Sequence, residues 1–360
     1  MPRSLRRKLY RKIRFKTWYR KANYYHRKRD KMDEIIAMFK SPEQLEDKAY
    51  MRALRRDMVY CLMKYGSYYN EYFLFGFEGK DDAYRSSFIT EGIRMSFYPR
   101  MNSAKNTDML ENKYRTYKKF QSMFKRDIIC IRKHDEPSVE GVRMLREFGE
   151  KHRDYIVKPI YAAFGKGVRL DSLANYSSPE EAYAAYHENG VVIEELIEQG
   201  AAMAAVHPSS VNTLRIPTVV VRDEAGEPEV RLFNPTLRVG QHGSVVDNFS
   251  AGGISALIDP ETGVICSDGA DKKGNRYVLH PDTKLRFKGF QIPDWDEAVA
   301  MVKEAALMVP GNHYCGWDLA YSARHGWCMV EANCTAQMGG MQMVTQTGRR
   351  QELETLISKM

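Results

Sequence analysis

The sequence predicts an α+β protein in which a helical N-terminal region precedes a strand-rich body, on two observations. Between residue 32 and about residue 125, apolar residues recur at three and four, as in "DEIIAMF", "YMRALRRDMVYCLMKYG" and "LENKYRTYKKFQSMFK", the period of an amphipathic helix. From residue 154 onward the chain breaks into short β-favouring runs punctuated by glycine and proline, the mark of strands and hairpins. With 360 residues there is length for two or three domains. Apolar residues make up 43% and charged residues 28%, which is the composition of a folded chain rather than a disordered one. No run approaches the ~20 apolar residues of a membrane span, and the N-terminus lacks the apolar core of a signal peptide, so a cytoplasmic location is expected. The six cysteines form no Cys-x-x-Cys pair and no zinc spacing with histidine, which argues against a disulfide or zinc framework.

Charge is unevenly placed. Residues 1–32 hold fourteen Lys/Arg and one acid, a net +13, while the remaining 41 basic and 45 acidic residues leave −4. Leu5, Leu9 and Ile13 recur at helical spacing within this arm, and Phe15, Trp18, Tyr19, Tyr24 and Tyr25 lie among its cations. That pattern suits an amphipathic helix on an anionic membrane surface, at the inner face of the membrane. Docking on an acidic face of the protein itself or of a partner is the second reading. Nucleic acid is the least favoured.

Ser41-Pro42-Glu43 signals a helix start, with Ser41 as cap and Pro42 in the first position. Asn70 to Arg100, rich in Phe and Tyr, is expected to form connecting helices. In "DYIVKPIYAAFGKGVRL" an apolar strand ends at Lys158, and Gly165, Lys166 and Gly167 form a loop whose backbone can approach an anion while Lys158 supplies a point charge. A Gly-x-Gly hairpin by itself is only a turn. In "GVVIEELIEQ" a strand runs into Glu194, Glu195, Leu196, Ile197 and Glu198, which can present main-chain groups to an adenine edge and a carboxylate to ribose; a solvated acidic turn is the plainer reading. Arg215 in "HPSSVNTLRIPTVVV" and Arg238 in "FNPTLRVGQHGSVVDNFSAGGI" sit near strand ends as candidate anion clamps.

The segment "GWDLAYSARHGWCMVEAN" reads as a hairpin. A four-residue loop, 323–326, pairs Ser322 with Trp327 and sets Asp318 opposite Glu331, with Asn333 on the same face. Trp317, Leu319, Tyr321, Cys328 and Val330 are expected on the buried face. Opposed like charges destabilise a sheet. Either a hard divalent cation such as Mg²⁺ resides between them or partial solvation tolerates them.

These elements, in their order along the chain, resemble the ATP-grasp superfamily. The wording "SVNTLRIPT", "VDNFSAGG", "HPDTKLRFKGFQIPDW" and "GWDLAY" is similar to the sugar-transfer-associated ATP-grasp family, over about residues 100–345. The resemblance implies an ATP-grasp fold, two α+β lobes closing on ATP. A basic arm (1–32) and a helical region (33–112) would precede lobe one with its hinge (113–199) and lobe two with the metal site (200–360). It implies that Lys113 and Lys158 hold ATP phosphates, that Gly165 to Gly167 close over them, and that Glu194 to Ile197 meet adenine with Glu198 on the ribose. Asp318, Glu331 and Asn333 match the Mg²⁺ ligands. Arg215 matches the phosphate-side arginine, and Arg238 and Asn248 would touch acceptor or phosphate. Two departures stand out: the region before Lys113 is helical, and "CTAQ" after Asn333 lacks the arginine some members carry.

The expected activity is an ADP-forming ligase that joins a small-molecule carboxylate to an amine or sugar nucleophile through an acylphosphate, in surface polysaccharide or glycan assembly, with ATP and Mg²⁺ as cofactors. A lipid-linked acceptor would fit the basic arm. A phosphotransferase on the same scaffold is the alternative, and a non-catalytic nucleic-acid or scaffold protein is the reading from another class.

Overall fold

The computed structural model describes residues 21, 24, 28, 31–133, 135–161, 166–244, 247 and 252–360. Gly165, Asn248 and all of the basic arm except Lys21, Tyr24, Lys28, Lys31 and Met32 lie outside the described residues. The chain divides into two compact units, one of residues 1–98, 272–275 and 337–358, the other of residues 99–271, 276–336 and 359–360. Among the described residues no helix is long and apolar enough to cross a membrane.

The first unit is helical, as the apolar period predicts. Ser41 caps the helix Pro42–Glu46 through a capping box with Gln44, and Pro42 takes the first position. The helix Lys48–Tyr65 ends at Gly66, whose φ of 70° suits glycine and whose absent Cβ leaves room for Gly92 Cα, which would stand only 2.9 Å from it. Aromatic residues fill the interior, among them Tyr65, Tyr72, Phe75, Phe77 and Phe88. Two arm residues belong to this packing: Lys21 donates to the Met63 carbonyl at 2.8 Å, and Tyr24 stacks on Tyr68. The end of the arm therefore docks on its own unit.

The second unit holds two antiparallel sheets. The strands β1 (Ile128–Ile131), β2 (Tyr155–Pro159), β3 (Arg169–Asp171) and β4 (Val191–Glu195) form a four-stranded sheet in the order β1-β4-β2-β3. The helices Val139–Lys151 and Pro179–Asn189 cover one face, where Ile131, Leu145, Phe148, Tyr155, Val157, Tyr186 and Ile193 form a core. Alternation along the strands sends Ile128, Lys158, Val192 and Glu194 to the other face.

The second sheet comprises β5 (Thr213–Arg222), β6 (Pro228–Leu232), β7 (Thr236–Val239), β8 (Ile254–Leu257), β9 (Gly269–Ala270), β10 (Arg276–Tyr277), β11 (Tyr314–Ser322) and β12 (Gly326–Asn333). Its order is β10-β9-β8-β7-β5-β11-β12, with β6 also on β5. A proline inside a central strand needs a place where its missing N-H is not wanted. Pro217 has one: β5 pairs with β7 as far as Arg215 and with β6 from Thr218, so Pro217 falls where the partner changes. The helix Trp295–Leu307 packs on this sheet, and the shared core includes Leu214, Ile216, Trp295, Trp317, Leu319, Trp327 and Met329.

The hairpin differs from the sequence expectation in two compensating ways. Its loop is 323–325, so Ser322 pairs with Gly326 and Tyr321 with Trp327. A bulge then inserts Val330, because Leu319 pairs with Met329 while Asp318 pairs with Glu331. The opposition of the two acids survives, but Cys328 moves to the face of Ala320 and Asp318 rather than the core face, and Val330 is left without a partner in β11.

Trp317 is fully buried, meets Phe120 edge to face and donates its indole N-H to Thr218 Oγ1 at 2.9 Å. Trp317→Ala should cost about 3–5 kcal/mol in chemical denaturation, against about 1 kcal/mol for Thr218→Val, which removes only the hydrogen-bond acceptor.

Candidate active site

The four-stranded sheet contributes a lysine and a glutamate from the face it shares with Val192. Lys158 Nζ stands 2.9 Å from Glu194 Oε2. Arg126, just before β1, reaches the same oxygen through Nε at 3.2 Å, and its Nη1 donates to the main-chain carbonyls of Met329 (2.6 Å) and Phe124 (3.1 Å). Burial pushes the Glu194 carboxyl up, but the Lys158 and Arg126 charges outweigh it and hold its pKa at about 2.

The eight-stranded sheet contributes the acids and two arginines. Register places Asp318 between Glu331 on β12 and Arg215 on β5. Arg215 grips both Asp318 oxygens, Nε on Oδ1 and Nη2 on Oδ2 at 2.8 Å. Gly316 makes room for this arginine, since a Cβ there would meet Arg215 Cδ at 2.9 Å and Ala336 Cβ at 2.4 Å. Arg238 on β7 donates to Asp318 Oδ2 at 2.9 Å and to Thr213 Oγ1 at 2.8 Å, and Asn333 Nδ2 lies 3.3 Å from the same Asp318 oxygen. Asp318 is only 3% exposed. Burial alone would raise its pKa; the Arg215 and Arg238 guanidinium groups hold it below the usual carboxylate range. Lys113 opens the helix Lys113–Lys119 behind its Asn112 cap and stands 3.2 Å from Glu331 Oε1. Lys113, Glu194 and Glu331 line one cavity of about 10 Å³ with Val192 and Val330.

These contacts correct one expectation. The opposed acids need no resident cation to be tolerated, because Asp318 already holds two guanidinium groups and Glu331 an ammonium. The donor set nevertheless suits Mg²⁺: the two carboxylates and the Asn333 amide oxygen are hard ligands. Of the Asp318 oxygens, Oδ2 receives Arg215, Arg238 and Asn333, whereas Oδ1 receives Arg215.

The remaining sequence candidates are dispersed. Lys166 and Gly167 are exposed beyond β2, with Gly167 at a φ of 74°. Glu195 turns away from Glu194, and its carboxylate accepts the Asp127 amide at 3.0 Å. With Leu196, Ile197 and Glu198 it borders a second cavity of about 10 Å³, shared with Arg126, Arg324 and Cys328. Glu198 extends into solvent, with Arg324 Nε at 3.6 Å.

Two residues went unassigned in the sequence. Arg126 carries no motif signal, since a charged residue before an apolar strand reads as solvated. Asp247 is buried and accepts the Thr213 amide at 3.1 Å. Burial raises its pKa, with Asp318 adding to that and Arg238 opposing it.

Two other clusters have plainer explanations. Ser210, His207 and Asp282 line up, His207 Nδ1 being 2.8 Å from Ser210 Oγ and Nε2 3.4 Å from Asp282. Ser210 is buried, donates to Asn212 Oδ1 and accepts the Gly240 amide, so it is a loop fastener and not a nucleophile. Asp127, His152 and Glu195 bring one ligand atom each within 4.8 Å of one another, but the Lys151 ammonium already sits on Asp127.

The Glu194 geometry gives a pH prediction. Its pKa is depressed in the folded state, so its stabilisation is full above the ordinary value of 4.5 and is lost as pH falls toward about 2. Glu194→Gln should be less stable than wild type by about 3–5 kcal/mol at pH 7, and the gap should narrow between pH 4.5 and about 2 in denaturant titrations.

No curated protein matches the chain significantly. Solved structures that resemble it include the ATP-grasp ligase PsnB complexed with a minimal precursor, at 14% identity and a TM-score of 0.42 over 76% of this chain and 69% of that one. Others are D-alanyl-alanine synthetase A from Vibrio cholerae, at 8% identity and a TM-score of 0.42 over 69% and 64%, and the D-alanine-D-alanine ligase from Coxiella burnetii, at 11% identity and a TM-score of 0.41 over 72% and 59%. The chain thus spans less than two thirds of the latter two, and likeness this remote carries no argument about substrate. The profile described as sugar-transfer associated ATP-grasp is another matter, because it matches residues 93–357 and so takes in both sheets and every paired cation and acid above. The chain belongs to the sugar-transfer associated ATP-grasp family.

Proposed function

We propose that the protein is an ATP- and Mg²⁺-dependent ligase that joins a small-molecule carboxylate to an amine or related nucleophile through an acylphosphate, in surface polysaccharide or glycan-related biosynthesis. The observation that carries this reading is the pairing of Lys113, Lys158, Arg215 and Arg238 with Glu331, Glu194 and Asp318 within one unit, where Lys113, Glu194 and Glu331 line one cavity and Asp318 is the strand partner of Glu331. Residues 113–199 and 200–360 would be the two lobes that close on the nucleotide.

In this mechanism Lys113 and Lys158 exchange their carboxylate partners for phosphate oxygens. Arg215 and Arg238 hold the transferring phosphate in line with the attacking carboxylate, so position and charge lower the barrier. A bound Mg²⁺ on Asp318, Glu331 and Asn333 would supply charge neutralisation at the phosphates. The chain needs no covalent nucleophile, and these thiols are poor candidates for one: burial pushes the half-buried Cys130 up to about 12 and the buried Cys334 to about 11, and raises the buried Cys315 and Cys328 as well. The basic arm would place the protein at the inner face of an anionic membrane, near a lipid-linked acceptor; binding of the full chain to anionic but not neutral vesicles, lost at high salt, checks this.

The decisive assay screens amino acids and sugar acids for coupling to ADP release. A ligase frees inorganic phosphate, whereas phosphate left on the acceptor identifies a phosphotransferase. With the coupled substrates, Arg238→Ala should lower kcat about 10²–10³-fold, the range for removing one donor to developing charge. Unchanged turnover in Asp318→Ala would remove the metal assignment.

A further inference from the structure

We propose that His207, His242 and Asp282 form a site for a divalent metal ion of the Zn²⁺ class, at the turn that follows β7. The site uses none of the residues assigned to Mg²⁺ and nucleotide above, so it stands or falls separately from that reading.

The hydrogen bonds around His207 fix which ring nitrogen carries its proton. Asn212 donates its amide protons to the Met203 and His207 carbonyls, at 2.8 and 2.9 Å, so its Oδ1 is turned toward Ser210 Oγ, 2.8 Å away. That oxygen takes the hydroxyl proton, and Ser210 Oγ then accepts from His207 Nδ1, also at 2.8 Å. The other tautomer would serve the Ser210 amide, 3.3 Å from Nδ1, but would set two acceptor oxygens against each other at 2.8 Å. With the proton on Nδ1, Nε2 presents a lone pair, and it faces Asp282 Oδ2 at 3.4 Å. His207 is only 1% exposed, and two acceptors confronted in a buried place are unfavourable unless a cation joins them. Burial and the neighbouring His280 lower the His207 pKa, which disfavours a proton in that role.

A metal ion suits the geometry. Ligand atoms about 2.0–2.2 Å from a tetrahedral ion stand roughly 3.3–3.6 Å from one another, and the separation of His207 Nε2 from Asp282 Oδ2 falls in that range. His242 Nδ1 stands 3.8 Å from the other oxygen, Oδ1. Its side chain is 74% exposed and has room to turn inward as the third ligand. The carboxylate is already oriented, because the Gly243 amide donates to Oδ2 at 3.4 Å. Ser210 on Nδ1 is the outer contact that metal-bound histidines commonly carry. His280 braces the site without ligating: its Nε2 donates to the Gly240 carbonyl at 2.9 Å, and its Nδ1 accepts the Asp282 amide at 3.2 Å. Two imidazoles and one carboxylate favour Zn²⁺ over Mg²⁺, which prefers oxygen throughout. No cysteine takes part. The ion would tie the loop before β5 to the turns after β7 and β10.

The test is calorimetric titration of the full chain, stripped with a chelator and then saturated with Mg²⁺, with Zn²⁺ alone as the ligand. Wild type should bind one Zn²⁺ per chain, with a rise in melting temperature. Losing an outer contact costs about 10–100-fold in metal affinity, so loss of a ligand in His242→Ala or Asp282→Asn should weaken binding by about 100-fold or more. His242 lies at the surface, and His242→Ala carries the test alone if Asp282→Asn does not fold. His152→Ala, which removes the histidine of the Asp127 cluster, should bind as wild type does. Absence of wild-type Zn²⁺ binding, wild-type affinity in either ligand variant, or loss of binding in His152→Ala overturns the site.

Discussion

Asp318 is a carboxylate held out of reach of water, and an ionised carboxylate in that position is stable only with compensating charge and hydrogen bonds. Arg215 and Arg238 supply both, from β5 and β7, the two arginines lying 103 and 80 residues before Asp318. Glu194 depends in the same way on Lys158 and on Arg126. The pairing requirement therefore fixes which strands must lie side by side: Arg215 meets Asp318 because β5 and β11 are in that register and no other. Pro217, by handing β5 from β7 to β6, lets one strand serve both neighbours while the arginine stays in place. The same pairs define how a ligand would be received. On the proposed function, an incoming polyanion would exchange partners with acids already present and would never meet a bare cluster of cations, so the cost of assembling like charges would be met at folding.

What the sequence makes legible is whatever repeats at short range. The helical region of the first unit follows from the three-and-four spacing, and the Ser41-Pro42 start follows from local hydrogen bonding. The strand that ends near Lys158 and the strand that runs into Glu194 follow from their apolar runs, and the β11–β12 hairpin follows from aromatic runs around a turn. The opposition of Asp318 to Glu331 is legible although the assumed loop is one residue too long, because the Val330 bulge adds back the residue that the shorter loop removes. A bulge at valine has no compositional mark, so the wrong face for Cys328 could not be avoided from the sequence.

Long-range partnership is the part that stays hidden. Arg126 meets residues 68 and 203 positions away, and Arg215 meets one 103 positions away. Nothing local separates these arginines from surface ones, and the electrostatic case for a resident cation fails for the same reason, since the compensating charges lie in strands whose register the sequence does not state. The arm shows the reverse situation. Its charge suggests an outward role, yet at its end Tyr24 stacks on Tyr68 and Lys21 caps a carbonyl, so these residues serve the chain's own interior.

The Val330 bulge has one more consequence. It lies between the turn and the acidic pair, so the outer half of the hairpin keeps a register separate from that of the inner half. The turn is tied elsewhere, Ala323 donating to the Glu198 carbonyl at 2.8 Å and Arg324 approaching Glu195 and Glu198. Drift in the length or shape of that tip would be absorbed at Val330 before it reached Asp318, which leaves the 195–198 end of the hairpin's contacts open to evolutionary adjustment while the Asp318–Glu331 pair stays fixed.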